Sequence, residues 1–278
     1  MSKREIIPIH TLNPNNAFFA IEDLEHENKY DFKETHRHDY FEIIFMAKGG
    51  GQQWIDFNLI ELKDNSCSII LPKQVHLLKR KKETKGVVIQ FTEEIINDAN
   101  LFGMLQVLDE VILFEENPKY FKEVGNYILL LQNILSTKAP FYKSSLQGVV
   151  QSLLYQLLGY TSMVKSYSND NLLSKFLQLV ELHYCDWHTV SMYKESLVVS
   201  EVKLGKVTKK HLGHSPLQFI HNRILLEAKR LIFFQEKSIK EISFDLGFSY
   251  PSNFAHFIKS KTGFTASQLQ KQARELNS

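Results

Sequence analysis

The stretch from Ser238 to Thr265, S-I-K-E-I-S-F-D-L-G-F-S-Y-P-S-N-F-A-H-F-I-K-S-K-T-G-F-T, decides how this chain is read. Ile239, Ile242 and Leu246 recur at helical spacing and form one apolar stripe. Gly247 follows and stops that helix by taking a left-handed backbone position. Pro251 starts a second helix, where its missing N–H is not needed. Phe254, Phe257 and Ile258 make the inner face of this helix, and Asn253, His256, Lys259 and Ser260 its outer face. Two short helices around a glycine turn, the second with a polar and partly basic outer face, are the helix-turn-helix pattern.

The pattern occurs twice. Upstream, Ser196 to Gly213 reads S-L-V-V-S-E-V-K-L-G-K-V-T-K-K-H-L-G. Leu204, Val207, Lys209 and Gly213 match Phe254, Phe257, Lys259 and Gly263 at a constant offset. Before the turn, Val190 and Leu197 match Ile239 and Leu246 at an offset one residue shorter, so the two turns differ by one residue. A repeat of this kind is more specific than either copy alone. Ser200 is placed to cap the second helix of the first copy. Between the copies a long helix is expected from Ser215-Pro216 to about Phe234, with Phe219, Ile220, Ile224, Ala228, Leu231 and Ile232 on its apolar side. It would hold the two units at a fixed separation.

Charge follows the same division. From Met192 to the end, 14 Lys/Arg face 7 Asp/Glu, a net +7, whereas the preceding 191 residues hold 19 against 24, a net −5. A basic excess on the duplicated part suits a polyanionic partner. No apolar run approaches the ~20 residues that span a bilayer, so no membrane association is expected. No long apolar stretch follows Lys3-Arg4, and no secretory signal is expected. Cys67 and Cys185 are the only cysteines and lie far apart, which points to a reducing compartment such as the cytoplasm.

The region near 17–95 reads as short strands and turns: Phe41 to Met46, the Gly49–Gly51 turn, Gln53 to Phe57, Cys67 to Leu71 ended by Pro72, and Val87 to Phe91. Such a series argues for a sandwich or a small barrel. Within it lies H-R-H-D-Y-F-E, His36 to Glu42. On one strand, His36, His38, Tyr40 and Glu42 would share a face, and His76 arrives later in the chain. Three imidazoles and a carboxylate have the composition of a divalent-metal site. They equally suit a polar rim that hydrogen-bonds a small ligand, or a structural role. The ligand reading is adopted for His36, His38, Tyr40, Glu42 and His76. No catalytic residue, resident metal or cofactor is assigned, since no serine or histidine has a nucleophile context.

From about 93 to 167 the pattern turns helical. Leu101 to Phe114 is ambiguous between helix and buried strand, Tyr120 to Leu135 is helical, and Tyr142 to Val164 carries a wide stripe of Leu146, Val149, Val150, Leu153, Leu154, Leu157 and Leu158. The stripe fits packing on the barrel, a homodimer seam, or both. The expected divisions are 1–97, 98–168 and 169–278.

Taken together, H-L-G-H-S-P-L-Q-F-I from His211, R-I-L-L-E-A-K-R-L-I from Arg223 and S-I-K-E-I-S-F-D-L-G-F from Ser238 resemble the AraC-type transcriptional regulators. H-R-H-D-Y-F-E-I-I, the triple glycine and L-P-K-Q-V-H ending at His76 resemble the cupin-like sensor domain that many of them carry. The resemblance covers nearly the whole chain. It implies an α+β multidomain protein: an N-terminal cupin-like β-barrel, a helical connecting and dimerisation segment, and an all-α domain with two helix-turn-helix units. It also implies a double-stranded DNA partner, a small-molecule effector, a homodimer, contact with RNA polymerase, and no enzymatic activity.

On this resemblance the second helices of the two units enter successive major grooves. Lys203 and Lys206 suit guanine edges or phosphate, Asn253 suits a bidentate pair with adenine, and Ser252 and His256 sit beside it. Lys209, Lys210, Lys259 and Lys261 suit phosphate, although each also reads as a solvated lysine. The chain departs from the family at Lys194 and Ser243, where a small residue, usually alanine, is expected. It departs again at Gly205 and Thr208 in the first recognition helix, at the cap Tyr250, at His256, and at Ala266 and Gln270. These departures shift base reading toward the second unit. Two rivals remain: a cupin-class metalloenzyme built on His36, His38, Glu42 and His76, which leaves the repeat unexplained, and a degenerate regulator acting through protein contacts.

Overall fold

The computed structural model describes residues 9–10, 12, 18–24, 35–56, 58–96, 98–105, 112–114, 118–161, 171–234 and 237–276. They fall into two compact units, divided between Ser168 and Asn169. Among the described residues no helix is long and apolar enough to cross a membrane.

The first unit begins with β1 (Ile9–His10), β2 (Phe19–Asp23), β3 (His36–His38), β4 (Phe41–Lys48), β5 (Gly51–Ile55), β6 (Asn58–Glu61), β7 (Ser66–Ile70), β8 (Val75–Arg80) and β9 (Lys85–Phe91). Then come α1 (Ala99–Leu105), β10 (Ile112–Leu113), α2 (Pro118–Thr137) and α3 (Tyr142–Tyr160). The strands form two five-stranded sheets, ordered β1-β3-β8-β5-β6 and β10-β7-β4-β9-β2. The ambiguous stretch 101–114 thus supplies helix at one end and strand at the other, with 106–111 outside the described residues.

The expected barrel is not formed. Among the described residues each sheet keeps two free edges, and no ladder joins one sheet to the other. Closure would need β6 or β1 to pair with β2 or β10. Yet β6 is short and mostly exposed, while β1 and β10 have two residues each. Such strands end a sheet rather than extend it. The result is a two-sheet sandwich in which hydrophobic facing, not backbone pairing, joins the layers.

β4 shows why the run F-E-I-I-F-M is almost continuously apolar. Its first six residues are all buried, on both faces of the strand. Ile44 and Met46 point between the sheets, in a cluster with Ile70 and Val88 of their own sheet and Leu62 and Leu78 from the opposite side. Phe41 and Phe45 point the other way: Phe41 meets Phe102 of α1 at 6.1 Å and Phe45 stacks on Phe121 of α2 at 4.4 Å. The wide stripe of α3 is consumed inside this unit, with Leu146, Val150, Leu153, Leu154, Leu157 and Leu158 all buried. Residues 162–164, the end of the helix expected there, lie outside the described residues.

The second unit is all helical: α4 (Asn171–His183), α5 (Val190–Ser196), α6 (Glu201–Leu212), α7 (Pro216–Phe234), α8 (Ile239–Asp245), α9 (Pro251–Thr262) and α10 (Ala266–Leu276). The pairs α5–α6 and α8–α9 are the two helix-turn-helix units, and α7 joins them. Ile220, Ile224, Ala228 and Ile232 form the buried stripe of α7. Ser200 caps α6 by accepting from the Lys203 N–H at 3.2 Å. Ser238 and Glu241 form a full capping box on α8. Tyr250 occupies the cap position of α9 without a side-chain bond, so Pro251 at the first turn is that helix's start signal.

Both turns close alike. The N–H groups of Val198 and Val199 donate to the carbonyls of Glu195 and Lys194, as those of Gly247 and Phe248 donate to Phe244 and Ser243. This is the Schellman arrangement, with the residue after the cap left-handed. Gly247 has φ +75°, and a Cβ there would lie 1.7 Å from the Cys185 carbonyl oxygen. An ion-pair network ties α4 to α7. Arg223 donates to both carboxylate oxygens of Glu181 at 2.6 and 2.7 Å and to Glu227 at 3.1 Å, and it stacks on Tyr184 at 3.9 Å. Arg230 donates to the same Glu227 oxygen at 3.3 Å.

Candidate functional site

Two constellations carry chemistry, one in each unit. On the helical unit, α6 and α9 bury one face and expose the other. Leu204 and Thr208 are inward on α6, and Phe254 and Ile258 on α9. Lys203, Lys206, Lys209 and Lys210 are exposed on α6, and Ser252, Asn253, His256, Lys259 and Lys261 on α9. Phe257 is half-buried and meets Phe248 at 5.4 Å and His221 of α7 at 5.4 Å. Phe248, in the turn between α8 and α9, also contacts His188 at 4.7 Å, which pins the second helix-turn-helix to the loop before α5.

The departures from the family pattern are accommodated locally. Ser243 is fully buried, and its hydroxyl donates to the Lys240 carbonyl at 2.7 Å, so a small polar residue fits where alanine was expected. Lys194 is half-buried, consistent with a stem lying along the helix contact. His211 is buried and His214 exposed.

In the sandwich, the segment His36–Glu42 is not the single strand that parity suggests. β3 ends at His38, the chain bends through Asp39-Tyr40, and β4 begins in the other sheet. The side chains still meet, because the two sheets face each other. β3 pairs with β8 so that His36 lies opposite His76, with ring centroids 4.2 Å apart. His38 meets His76 edge-on at 4.8 Å and stacks on Tyr40 at 4.1 Å. Glu42 approaches from β4, its Oε1 lying 3.8 Å from His76 Nδ1. His36, His38, Tyr40, Glu42 and His76 are all buried.

The polar lining extends beyond these five. Gln90 of β9 donates to Glu42 Oε2 at 2.8 Å and to the Tyr40 hydroxyl at 3.4 Å. Ser68 of β7 donates to the side-chain oxygen of Gln53 on β5 at 2.9 Å, bridging the two sheets. Sequence reading missed Gln90, Gln53 and Ser68. The available signal was a lone glutamine in V-V-I-Q-F, on the same strand face as Val88. Burial raises the Glu42 carboxyl to about 7, partly opposed by the Gln90 hydrogen bond. His38, Glu42 and His76 each offer a donor atom, and these atoms lie within 4.8 Å of one another. The interior thus has a polar end, and an apolar end of Leu24, Ile44, Met46, Leu62, Ile70, Leu78 and Val88.

Known proteins resemble both units. A family model for an AraC-like ligand binding domain matches residues 21–99, and one for a helix-turn-helix domain matches residues 194–272. The transcriptional activator RhaS of Salmonella schwarzengrund is 18% identical over 249 residues, covering 85% of this chain and 87% of that protein. The uncharacterized regulator YfiF of Bacillus subtilis is 24% identical over 226 residues, 77% of this chain and 71% of its own. ToxT from Vibrio cholerae superposes over 90% of this chain and 96% of its own at 12% identity, with a TM-score of 0.42. With one family model on each unit and relatives aligned along most of the length, the chain belongs to the AraC family of transcriptional regulators, with an N-terminal ligand-binding domain and a C-terminal helix-turn-helix domain.

Proposed function

We propose that this protein is a sequence-specific DNA-binding transcriptional regulator whose activity is set by a small molecule between the sheets of its first unit. The observation that carries it is the duplicated helix-turn-helix on either side of α7, with nine exposed polar or cationic candidates on the outer faces of α6 and α9. Asn253 takes the base-reading role, with Ser252 and His256 beside it. Lys203 and Lys206 contact bases or phosphate, and Lys209, Lys210, Lys259 and Lys261 contact phosphate. The segments 1–97 and 98–168 serve as sensor and connector, and 169–278 as the DNA-binding part. His36, His38, Tyr40, Glu42 and His76, with Gln90, form the polar end of the effector site.

Homodimerisation belongs to the same proposal. The α3 stripe is already covered, so the surface offered to a second copy is the outer face of α2, where Leu129 and Leu130 are exposed. Contact with RNA polymerase, which the activator RhaS suggests by analogy, is read by transcription in vitro. The decisive experiment is selection of bound duplexes from a random pool by the full-length protein at two salt concentrations. Enrichment of two patches about one helical turn apart is expected. Absence of any enriched sequence at either salt would overturn the reading.

A further inference from the structure

The outer face of α6 carries one side chain that can neither hydrogen-bond a base nor contact a phosphate. Val202 is 69% exposed and is the second residue of the helix, two after the Ser200 cap. Leu204, Thr208 and His211 mark the buried side of α6. Val202, Lys206 and Lys209 follow one another at i, i+4 and i+7 along the opposite side, all exposed. A lone exposed valine is ordinary, but this one heads the line of cations assigned to DNA. We propose that Val202 reads thymine, by laying its methyl groups against the C5-methyl group of a thymine in the major groove. This rests on the reading that α6 is a recognition helix of a DNA-binding regulator.

Three features support the assignment. The first is position. A recognition helix reaches base edges with its N-terminal residues, and Val202 lies in the first turn of α6. The second is chemistry. Valine has no donor or acceptor, and the thymine methyl is the apolar group that a base pair presents in the major groove. Branching at Cβ holds the valine methyls stiffly, so little freedom is lost on contact. The third is access. Gly205 lies three residues further along, beside Val202 on the helix surface. A Cβ there would meet nothing within 4 Å, so neither packing nor a turn accounts for a glycine in mid-helix. Its bare backbone suits close approach of a groove edge next to the valine. In α9 the matching positions hold Ser252 and Ala255. Ser252 can hydrogen-bond a base where Val202 cannot, so the two units read their grooves by different chemistry.

The test uses the full-length protein and the duplex it selects from the random pool. Each thymine of that duplex is replaced singly by deoxyuridine, which removes the C5-methyl group and keeps every hydrogen-bonding atom. Affinity is read by fluorescence anisotropy. At one position or more the replacement should weaken wild-type binding about 4-fold, the weight of one methyl-sized group taken out of water. Val202→Ser should bind the thymine and deoxyuridine duplexes equally there, while Val202→Thr, which keeps one methyl group, should still prefer thymine. Both substitutions fall on an exposed side chain, and circular dichroism checks the fold of each variant. The proposal is overturned if no thymine of the selected duplex is sensitive to loss of its methyl group in the wild type, a result that needs no variant. It is equally overturned if Val202→Ser keeps the wild-type preference at every sensitive position, or if Val202→Thr loses it as fully as Val202→Ser. Any of these results with a selected duplex in hand removes the thymine contact alone. Absence of any selected sequence removes the regulator reading, and this inference with it.

Discussion

The two helix-turn-helix turns make a reciprocal pair of predictions. Val198 and Gly247 occupy the same place in the same Schellman arrangement. Val198 has φ +53° and is 88% exposed, whereas Gly247 has φ +75° and is packed against the Cys185 carbonyl. A left-handed conformation costs an L-residue about 1–2 kcal/mol, and a β-branched one sits at the upper end. Val198→Gly removes that cost and loses almost no buried surface. Glycine's greater freedom in the unfolded chain returns about 0.5–1 kcal/mol. The net gain is about 0.5–1 kcal/mol. Gly247→Ala adds the left-handed cost to a Cβ 1.7 Å from a backbone oxygen, and no rotamer change can move a Cβ. With overpacking penalties of about 1–3 kcal/mol, the loss is about 3 kcal/mol or more. Only Trp54 and Trp187 fluoresce as tryptophans, one in each unit. Denaturant unfolding of a Trp54→Phe background, followed by Trp187 emission, therefore reads the helical unit. A Val198→Gly protein no more stable than its parent, or a Gly247→Ala protein within about 0.5 kcal/mol of it, would refute the argument from turn geometry.

Four further outcomes are expected. Asn253→Ala relaxes sequence preference in the selected pool at one position. Lys259→Ala instead weakens binding to all duplexes and lowers the slope of log affinity against log salt by about 0.9. Glu181→Gln leaves the Arg223 guanidinium with one carboxylate fewer in a largely buried network and costs the helical unit about 2–3 kcal/mol, measured by the same emission. Burial, then Lys261 and His188, lower the His221 pKa below its usual 6.5. Folding therefore prefers the neutral ring, so the contribution is present above 6.5 and is lost as pH falls through the lower folded value. His221→Gln should flatten the loss of stability of the helical unit on acidification, and an unchanged pH profile would remove the assignment.

The helical unit was legible because its signals are local. Caps, glycine stops and apolar stripes act within a few residues, and the Ser200 cap, the Gly247 stop and the Pro251 start all stand where the spacing puts them. The sheets were less legible. That β3 pairs with β8, and that the chain changes sheet at Asp39-Tyr40, depends on partners far away in sequence. A series of short strands looks the same whether its edge strands close a barrel or end two sheets. The cluster of His36, His38, Glu42 and His76 could be named because its members are chemically conspicuous among apolar neighbours. Gln90 could not, since what gives it a role is a hydrogen bond to Glu42 forty-eight positions away. Val198 was equally silent, because left-handed backbone at a valine leaves no mark in composition.

β4 has one more consequence. It is a partition wall a single strand thick, with Glu42, Ile44 and Met46 on the chamber side and Phe41 and Phe45 on the helix side. The pleat alternates inward and outward side chains along the strand, so each inward residue has outward neighbours on the same stretch of backbone. An occupant that shifts Glu42 is expected to disturb the Phe45–Phe121 stack three residues along the same strand and, through it, the seat of α2. Filling of the polar end is thus expected to reach the helix layer through this one strand. Hydrogen exchange along α2, with the chamber filled and empty, registers that transmission directly.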